Sequence, residues 1–227
     1  MLPIEAGLNR FAWDLRYEEA SKVPGTVAWG GGTEGPRVLP GTYQIKLTVA
    51  GKSYTSSVDV KLDPRVTASA EDLKKQLDLA LKIRDRISAA HDAVNEIRDV
   101  RAQLESLRKR LAGDASHADI ARAAEDLAKK LTPLEEAIIQ PRSKSSEDPL
   151  NYPIQVADQL MALAGAVNSA DTAPTQASYD VFDELNHRLD EQLAKWKDLK
   201  EKDLWSFNHQ VQKANIPVVM VTPPKKD

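Results

Sequence analysis

The sequence predicts an α+β fold in two parts, a small β-sandwich followed by an antiparallel bundle of three or four helices, one of them very long. Two observations carry this prediction. Eight of the 10 glycines fall within the first 51 residues, and glycine supplies the positive-φ positions of tight turns. After Asp63-Pro64 the apolar residues change from an alternating to a helical spacing. We therefore expect a sandwich over residues 1–65, a bundle over 66–215 and an extended tail over 216–227.

Alternating apolar residues mark the strands of the first part. Thr42–Val49 places apolar and polar side chains on opposite faces, a turn follows at Ala50-Gly51-Lys52, and Tyr54–Leu62 runs back with the same alternation. A near-alternating run of strand length also covers Leu8–Tyr17. Because antiparallel strands with one apolar face must cover that face, these segments predict two packed sheets.

A continuous apolar seam predicts the very long helix. Its residues are spaced three or four apart from Ala80 to Leu111, which indicates a helix from about Ser69 to Ala112, about 65 Å long. Ser69 with Asp72 resembles a capping box, and Gly113 is a favourable C-terminal cap. A helix of this length needs partner helices to cover its seam.

Three further helical segments supply those partners. They are expected over Ser116–Ile139, with a kink at Pro133, over Pro153–Asn168, and over Thr175–Lys200 with an extension towards Lys213. A polar loop over 140–150 separates the first two. The short turn Gly113-Asp114-Ala115 after the long helix indicates that the next helix returns antiparallel, and we expect an up-and-down bundle.

Composition excludes several classes of function. A formal net charge of −3 gives no basic surface for nucleic acid, and no window of about 18 apolar residues predicts a transmembrane helix. Cysteine is absent, which removes disulfides, thiolate nucleophiles and cysteine-bound metals. Met1 is not followed by a basic and then apolar leader. The protein is therefore expected to be cytoplasmic if Met1 is the true start, or a fragment of an exported chain.

The evidence for catalytic or metal-binding residues is weak. Asp183, His187 and Asp190 or Glu191 share one face of the last helix and could ligate a metal, but a solvated charged face is the favoured interpretation. The glycine-rich stretch 30–35 leads into Pro36 and a strand, whereas a phosphate-binding loop leads into a helix, so we expect a flexible loop between strands. Most carboxylates have lysine or arginine at helical spacing. We predict no catalytic residue, no metal and no cofactor.

Four aromatic residues are the candidate contact residues. Trp196, Trp205 and Phe207 lie towards the end of the chain, where we expect them to serve as a protein-binding surface. Trp29 adjoins the glycine-rich stretch, and the two together favour an alternative function as a carbohydrate-binding module. More often, a tryptophan in such a position covers the edge of a sandwich.

Several strings together resemble the C-terminal region of exported bacterial proteins with sortilin-like, BNR-type β-propellers, which are often labelled glycosyl hydrolases. The strings are Gly7–Tyr17, Pro24-Gly25, Trp29–Gly32, Gly35–Tyr43, Lys61–Arg65, Asn151-Tyr152-Pro153 and Ser169-Ala170-Asp171. The resemblance implies that the sandwich is immunoglobulin-like and that the chain is periplasmic or extracellular. No BNR signature occurs, so it implies no hydrolase activity.

These observations predict a non-catalytic structural or protein-interaction module. The resemblance makes it the scaffold end of a larger exported protein or a subunit of an envelope assembly. Its partner would be another protein or a neighbouring β-propeller domain. The oligomeric state stays open.

Overall fold

The fold is a helical bundle that carries one β-hairpin, as seen in a computed structural model that describes residues 6–217. Helices account for most of this part of the chain. In chain order the elements are β1 (Gly41–Val49), β2 (Lys52–Val60), α1 (Ala70–Arg110), α2 (Ala118–Ile138), α3 (Val156–Val167), α4 (Gln176–Asp198) and α5 (Trp205–Lys213). Short 3₁₀ turns lie at Ala115–His117 and Asp148–Leu150.

Helix α1 is the central element, because α2, α3 and α4 all pack against it. It is 41 residues long, close to the predicted helix, and its N-terminus is capped by the Ser69 hydroxyl, which accepts a hydrogen bond from the Asp72 backbone N–H at 3.0 Å. Acidic residues occupy its first turn and basic residues its last, which complements the helix dipole. Its seam forms the core, with Ile83, Ala90 and Ile97 fully buried.

A buried ion pair joins α1 to α2. The Glu135 carboxylate of α2 is buried and accepts hydrogen bonds from Arg98, at 2.7 Å, and from Arg101, both on α1. Burial works to raise the pKa of Glu135, but the two guanidinium groups outweigh it and hold that pKa below its ordinary value. Helix α2 also contains Pro133, which lacks the N–H that would close one helical hydrogen bond.

Helices α4 and α5 are joined without a break by a π-helical segment, Leu199–Leu204. Leu199 is buried and Leu204 packs against the same core. These two core residues are five positions apart in sequence, which suits the wide turn of a π-helix with its i→i+5 hydrogen bonds. Charged residues of the segment reach neighbouring helices: Lys200 pairs with Glu96 of α1 at 2.6 Å, and Asp203 pairs with Lys130 of α2.

The predicted immunoglobulin-like β-sandwich is wrong. Residues 6–217 contain one two-stranded antiparallel sheet, β1–β2, with no second sheet to face it. The run Leu8–Tyr17 forms no strand, because Leu15 adopts a positive φ of 60° and only an isolated bridge links Arg16 to Arg37. Leu8 is fully exposed, so the alternation there does not reflect burial.

The core includes residues from both sides of residue 65. Ala20 and Val23 are buried in the same cluster as the helices, although they precede the hairpin in the chain. Ile216 also joins that cluster, while residues 218–227 of the expected extended tail lie outside the described residues. No helix within residues 6–217 has the length and apolar character needed to cross a membrane, as expected from the sequence.

The ion pair between α1 and α2 can be tested by removing its charge without changing its shape. Glu135→Gln leaves Arg98 and Arg101 without a carboxylate, and we expect the free energy of unfolding to fall by about 2 kcal/mol. Urea unfolding followed by circular dichroism measures this change. The control is Glu136→Gln at the neighbouring exposed position, where a change within about 0.5 kcal/mol is expected. Equal effects at the two positions would contradict the assignment.

Candidate interaction surface

The hairpin has one apolar and one polar face. In the antiparallel register Tyr43 lies opposite Val58, Ile45 opposite Ser56 and Leu47 opposite Tyr54. Because side chains alternate along a strand, these residues share one side of the sheet. We call this side the apolar face; its apolar members are Tyr43, Ile45, Leu47, Val49, Tyr54, Val58 and Val60, and Gly41, Lys52 and Ser56 lie on the same side. The opposite side, the polar face, consists of Thr42, Gln44, Lys46, Thr48, Ser53, Thr55, Ser57 and Asp59.

The polar face has two hydrogen bonds between the strands. The Thr42 hydroxyl donates to the Asp59 carboxylate at 2.7 Å, and the Thr48 and Ser53 hydroxyls lie 3.0 Å apart. Such pairs stabilise a sheet on its solvent side. The hairpin therefore has the design of a half-buried antiparallel sheet with its polar side facing water.

The apolar face, by contrast, is open. No residue of either strand is buried, and Ile45 and Tyr54 expose 51% and 59% of their surface. No helix within residues 6–217 packs against the hairpin. The one aromatic contact is at its end, where the rings of Trp13 and Tyr43 meet edge to face at 5.4 Å. An apolar layer of this kind on an otherwise polar element indicates a contact surface.

An extended segment leading to the hairpin is bound along α1. We call residues 18–24 the strap, and it is held by a row of side chains at helical spacings of four and three, Arg84, Ser88, His91, Asn95 and Arg98, the polar row. Each side chain of the row makes one hydrogen bond with the strap backbone: Arg84 donates to Glu18 O (3.2 Å), Ser88 Oγ accepts from Ser21 N (3.2 Å), His91 Nδ1 donates to Ser21 O (2.5 Å), Asn95 donates to Lys22 O (2.9 Å), and Arg98 donates to Pro24 O (2.8 Å).

The two segments match in length. The ends of the polar row are 14 positions apart, about 21 Å along the helix, and the ends of the strap are six positions apart, about 20 Å when extended. Ala20 and Val23 of the strap insert into the core. Burial lowers the pKa of His91, which keeps the imidazole neutral so that Nδ1–H can donate to the Ser21 carbonyl. The strap therefore fixes the chain before the hairpin to the bundle.

The glycine-rich stretch beside Trp29 allows the chain to pack closely against α3. A Cβ on Gly31 would lie 2.1 Å from the Met161 carbonyl oxygen of α3, so only glycine fits there. A Cβ on Gly165 of α3 would in turn lie 3.2 Å from the Gly30 carbonyl oxygen. The stretch thus lies directly on the backbone of α3, and is not the flexible loop expected from the sequence. Trp29 is 42% exposed next to it.

The other candidate contact residues divide between core and surface. Trp196 is 3% exposed, and its indole N–H donates to Glu96 at 2.9 Å; Phe207 is 6% exposed. Both lie in the core and are not the surface residues expected from the sequence, because they share the face of α4 and α5 that packs on the bundle. Their spacing of 11 residues, about three helical turns, is the signal that could have shown this. Trp205 is 66% exposed and stacks on His209 at 5.6 Å.

The described residues bring no metal-binding cluster together. Of the candidate ligands on α4, Asp190 pairs with Arg86 of α1, while His187 lies 3.4 Å from Glu191 on the same exposed face. Within residues 6–217 no group of three or more histidine, aspartate or glutamate side chains is placed to hold a metal ion.

Sequence reasoning missed one cluster of hydroxyl, imidazole and carboxylate, at the turn before α2. The Asp114 carboxylate accepts from the Ser116 hydroxyl at 2.5 Å and from His117 Nδ1 at 2.7 Å. Hydrogen bonds from Ser116 and His117 lower the pKa of Asp114 to about 2. Serine and aspartate both approach the same ring nitrogen, whereas a Ser-His-Asp triad uses one on each side of the ring. The cluster therefore caps the 3₁₀ turn.

A further titratable group, Asp158, is buried, and the contacts that shift its pKa include no group of opposite charge. Asp158, in the first turn of α3, accepts a hydrogen bond from the Gln155 backbone N–H, in the manner of a capping box. Burial raises the pKa of its carboxyl to about 6. This group is therefore a source of pH dependence above the ordinary range of an aspartate.

Comparison of the chain with protein-family models, with curated proteins and with solved structures finds no match among any of the three.

The packing of the glycine-rich stretch can be tested by adding a methyl group. Gly31→Ala should lower the free energy of unfolding by about 2 kcal/mol, because the new Cβ meets the rigid backbone of α3. Gly32→Ala is the matched control, since its Cβ would meet only the end of the Glu34 side chain, which can rotate away. Chemical denaturation compares the two. A flexible loop would tolerate both changes alike.

The pKa of Asp158 predicts a pH dependence of stability. The unfolded carboxyl titrates near 3.8 and the folded one near about 6, so the folded state holds the proton more tightly. The group therefore contributes stability that is complete below about 3.8 and is lost as pH rises through about 6. Relative to Asp158→Asn, which stays neutral, the wild type should lose about 1–2 kcal/mol between about pH 4 and about pH 8. Asp119→Asn, at an exposed site, serves as control and should parallel the wild type.

Proposed function

We propose that this chain is a non-catalytic protein-interaction module, in which the apolar face of the hairpin docks on the β-sheet of a partner and the bundle holds the hairpin in place. The open apolar face carries this proposal. The partner is a sheet in another protein or in a neighbouring domain, such as the β-propeller that the resemblance implies.

The character of the two faces supports a sheet as the partner. The apolar face bears β-branched, leucine and tyrosine side chains at most of its positions, with Gly41, Lys52 and Ser56 as exceptions, and such a surface stacks on another sheet about 10 Å away. The polar face forms two hydrogen bonds between the strands of the hairpin itself. Docking would therefore bury one side only and leave the other in water.

The size of the apolar face argues for a partner larger than a single hairpin. Each strand has nine residues and spans about 30 Å, so the face covers about 300 Å², against about 800 Å² per partner in a standard protein interface. Face-to-face contact between the hairpins of two copies falls short of this. A wider sheet, which also contacts the exposed residues near Trp13, supplies more area.

The bundle supports this function by giving the hairpin a rigid base. The strap is held at five residues of α1 and anchored by Ala20 and Val23, so the chain entering the hairpin is fixed. Its contacts use the backbone of the strap. A fixed orientation lowers the entropy that binding a partner sheet would otherwise cost.

The test places charge on one face of the hairpin and then on the other. The double variant Ile45→Lys/Leu47→Lys should weaken partner capture by at least about tenfold, because it would bury two unpaired charges. The matched control Gln44→Lys/Thr48→Lys puts the same charges on the polar face of the same strand. Immobilised wild type and both variants are incubated with envelope and soluble extracts, and bound proteins are quantified by mass spectrometry.

Proteins that are retained by the wild type and by the control, and lost from the apolar-face variant, would support the proposal. Equal retention by all three forms would contradict it. So would turnover of a sugar substrate by an isolated monomer. Binding on a glycan array that is lost in Trp29→Ala would instead favour a carbohydrate-binding module.

A further inference from the structure

We infer that the outer edge of β2 is a strand-pairing site whose occupant is β2 of a second copy of this chain. Pairing would join two hairpins into a four-stranded sheet in the order β1-β2-β2′-β1′. The inference rests on the proposed function only in that the same hairpin is the contact element, since it concerns the edge of the sheet and not its face.

The turn determines which backbone groups point outward. Ala50 and Gly51 have φ of 49° and 79°, the pattern of a two-residue type I′ turn, so Val49 and Lys52 form a hydrogen-bonded pair. Pairs then alternate along the ladder. The residues of β2 with outward N–H and C=O groups are Ser53, Thr55, Ser57 and Asp59. Within residues 6–217 no backbone hydrogen bond from another segment reaches these groups.

The two edges of the hairpin differ in charge. On β1 the outward-pointing residues include Lys46 near the middle of the strand, a charge of the kind that protects an edge against pairing. On β2 the corresponding stretch Ser53–Ser57 is uncharged and contains no proline, and Asp59 lies near its end, hydrogen-bonded to Thr42. The edge of β2 is therefore the one open to another strand.

The sequence of β2 is self-complementary about Ser56. A two-fold axis there pairs Thr55 with Ser57 of the second copy and Ser53 with Asp59 through the outward groups, without opposing like charges. It also sets Tyr54 opposite Val58 twice, which is a favourable aromatic and β-branched combination. The apolar faces of both copies then lie on the same side of one sheet, because antiparallel pairing preserves the alternation of side chains.

Pairing would remove two weaknesses of the hairpin. An isolated two-stranded sheet is marginally stable in water, whereas three or more strands with an apolar face are stable. It would also double the apolar layer offered to a partner sheet from about 300 Å² to about 600 Å². The contact is small for a permanent dimer, so it is best detected by a method that traps it.

The absence of native cysteine allows a direct trap. Ser56→Cys places a thiol on the axis, in a non-hydrogen-bonded pair where the two Cβ atoms approach within disulfide reach. Ile45→Cys is the matched control, because Ile45 is the register partner of Ser56 on the same face but lies on β1. Under mild oxidation, with each thiolate pair losing two electrons to added oxidised glutathione, Ser56→Cys should form a covalent dimer at least about tenfold faster than the control. Equal rates, or no dimer, would overturn the inference.

A second pair of variants tests the outward N–H directly. Thr55→Pro in the Ser56→Cys background removes an outward N–H of β2 without removing a ladder bond, and should abolish the cross-link. Lys46→Pro, directly opposite on β1, imposes the same backbone restriction on the other edge and should leave the cross-link unchanged. Loss in both or in neither would count against pairing at β2. Partner capture by the apolar-face variant is independent of these results, so each proposal can fail alone.

Discussion

The fold depends on one constraint, the burial of a single apolar stripe along α1. This helix has 41 residues, and four apolar residues along it are almost completely buried: Ile83, Ile87, Val94 and Ile97. Apolar burial contributes about 25 cal/mol per Å², so the stripe is stable only while other elements cover it. Helices α2, α3 and α4 cover most of its length, and the strap covers part of the rest.

The sides of α1 outside the apolar stripe are polar, and each binds a particular neighbour: the strap on one side and Glu135 of α2 on the other. On the strap side the polar row satisfies carbonyl and N–H groups that an extended segment would otherwise leave unpaired against the core, which would cost about 1–3 kcal/mol for each buried group. On the α2 side Arg98 and Arg101 neutralise Glu135. Arg98 serves both contacts, since its Nε reaches Glu135 and its Nη1 reaches Pro24. One side chain thus couples the strap to the packing of α1 and α2.

The sequence predicted the helices well, because their signal is local. The seam, the Ser69 cap and the following turn set α1 within two residues of its observed ends. It predicted the hairpin for the same reason, through alternation and a glycine turn. The sandwich failed because alternation shows that a strand has an apolar face but not what covers that face. Local exceptions also mattered: Leu15 at positive φ interrupts the run Leu8–Tyr17, whose alternation had suggested a further strand.

The contact residues were predicted less well, since burial depends on tertiary packing. Trp196 and Phe207 look like surface aromatics when taken singly, but a spacing of about three turns puts them on the core side of α4 and α5, while Trp205 falls on the other side. The run Gly30–Gly32 suggests a ligand loop until small residues on α3, Ala162 and Gly165, are considered as its packing partners. In both cases the informative signal is a relation between two parts of the chain and not a property of one residue.

The bundle and the hairpin differ in how they are stabilised, and this difference suggests different roles. The bundle closes its own core, and its buried polar groups Glu135 and His91 have partners. The hairpin has a complete ladder between its strands and two hydrogen bonds across its polar face, whereas Ile45, Leu47 and Tyr54 of its apolar face are exposed and only its end, at Tyr43, meets Trp13. The segment just before the hairpin is tied to the strap and its flank by backbone hydrogen bonds, from Ala20 N to Thr33 O and from Tyr17 N to Pro36 O. Because a two-stranded sheet is marginally stable by itself, contacts on its apolar face would stabilise it, and for this reason we propose the hairpin as the part of the molecule that binds a partner.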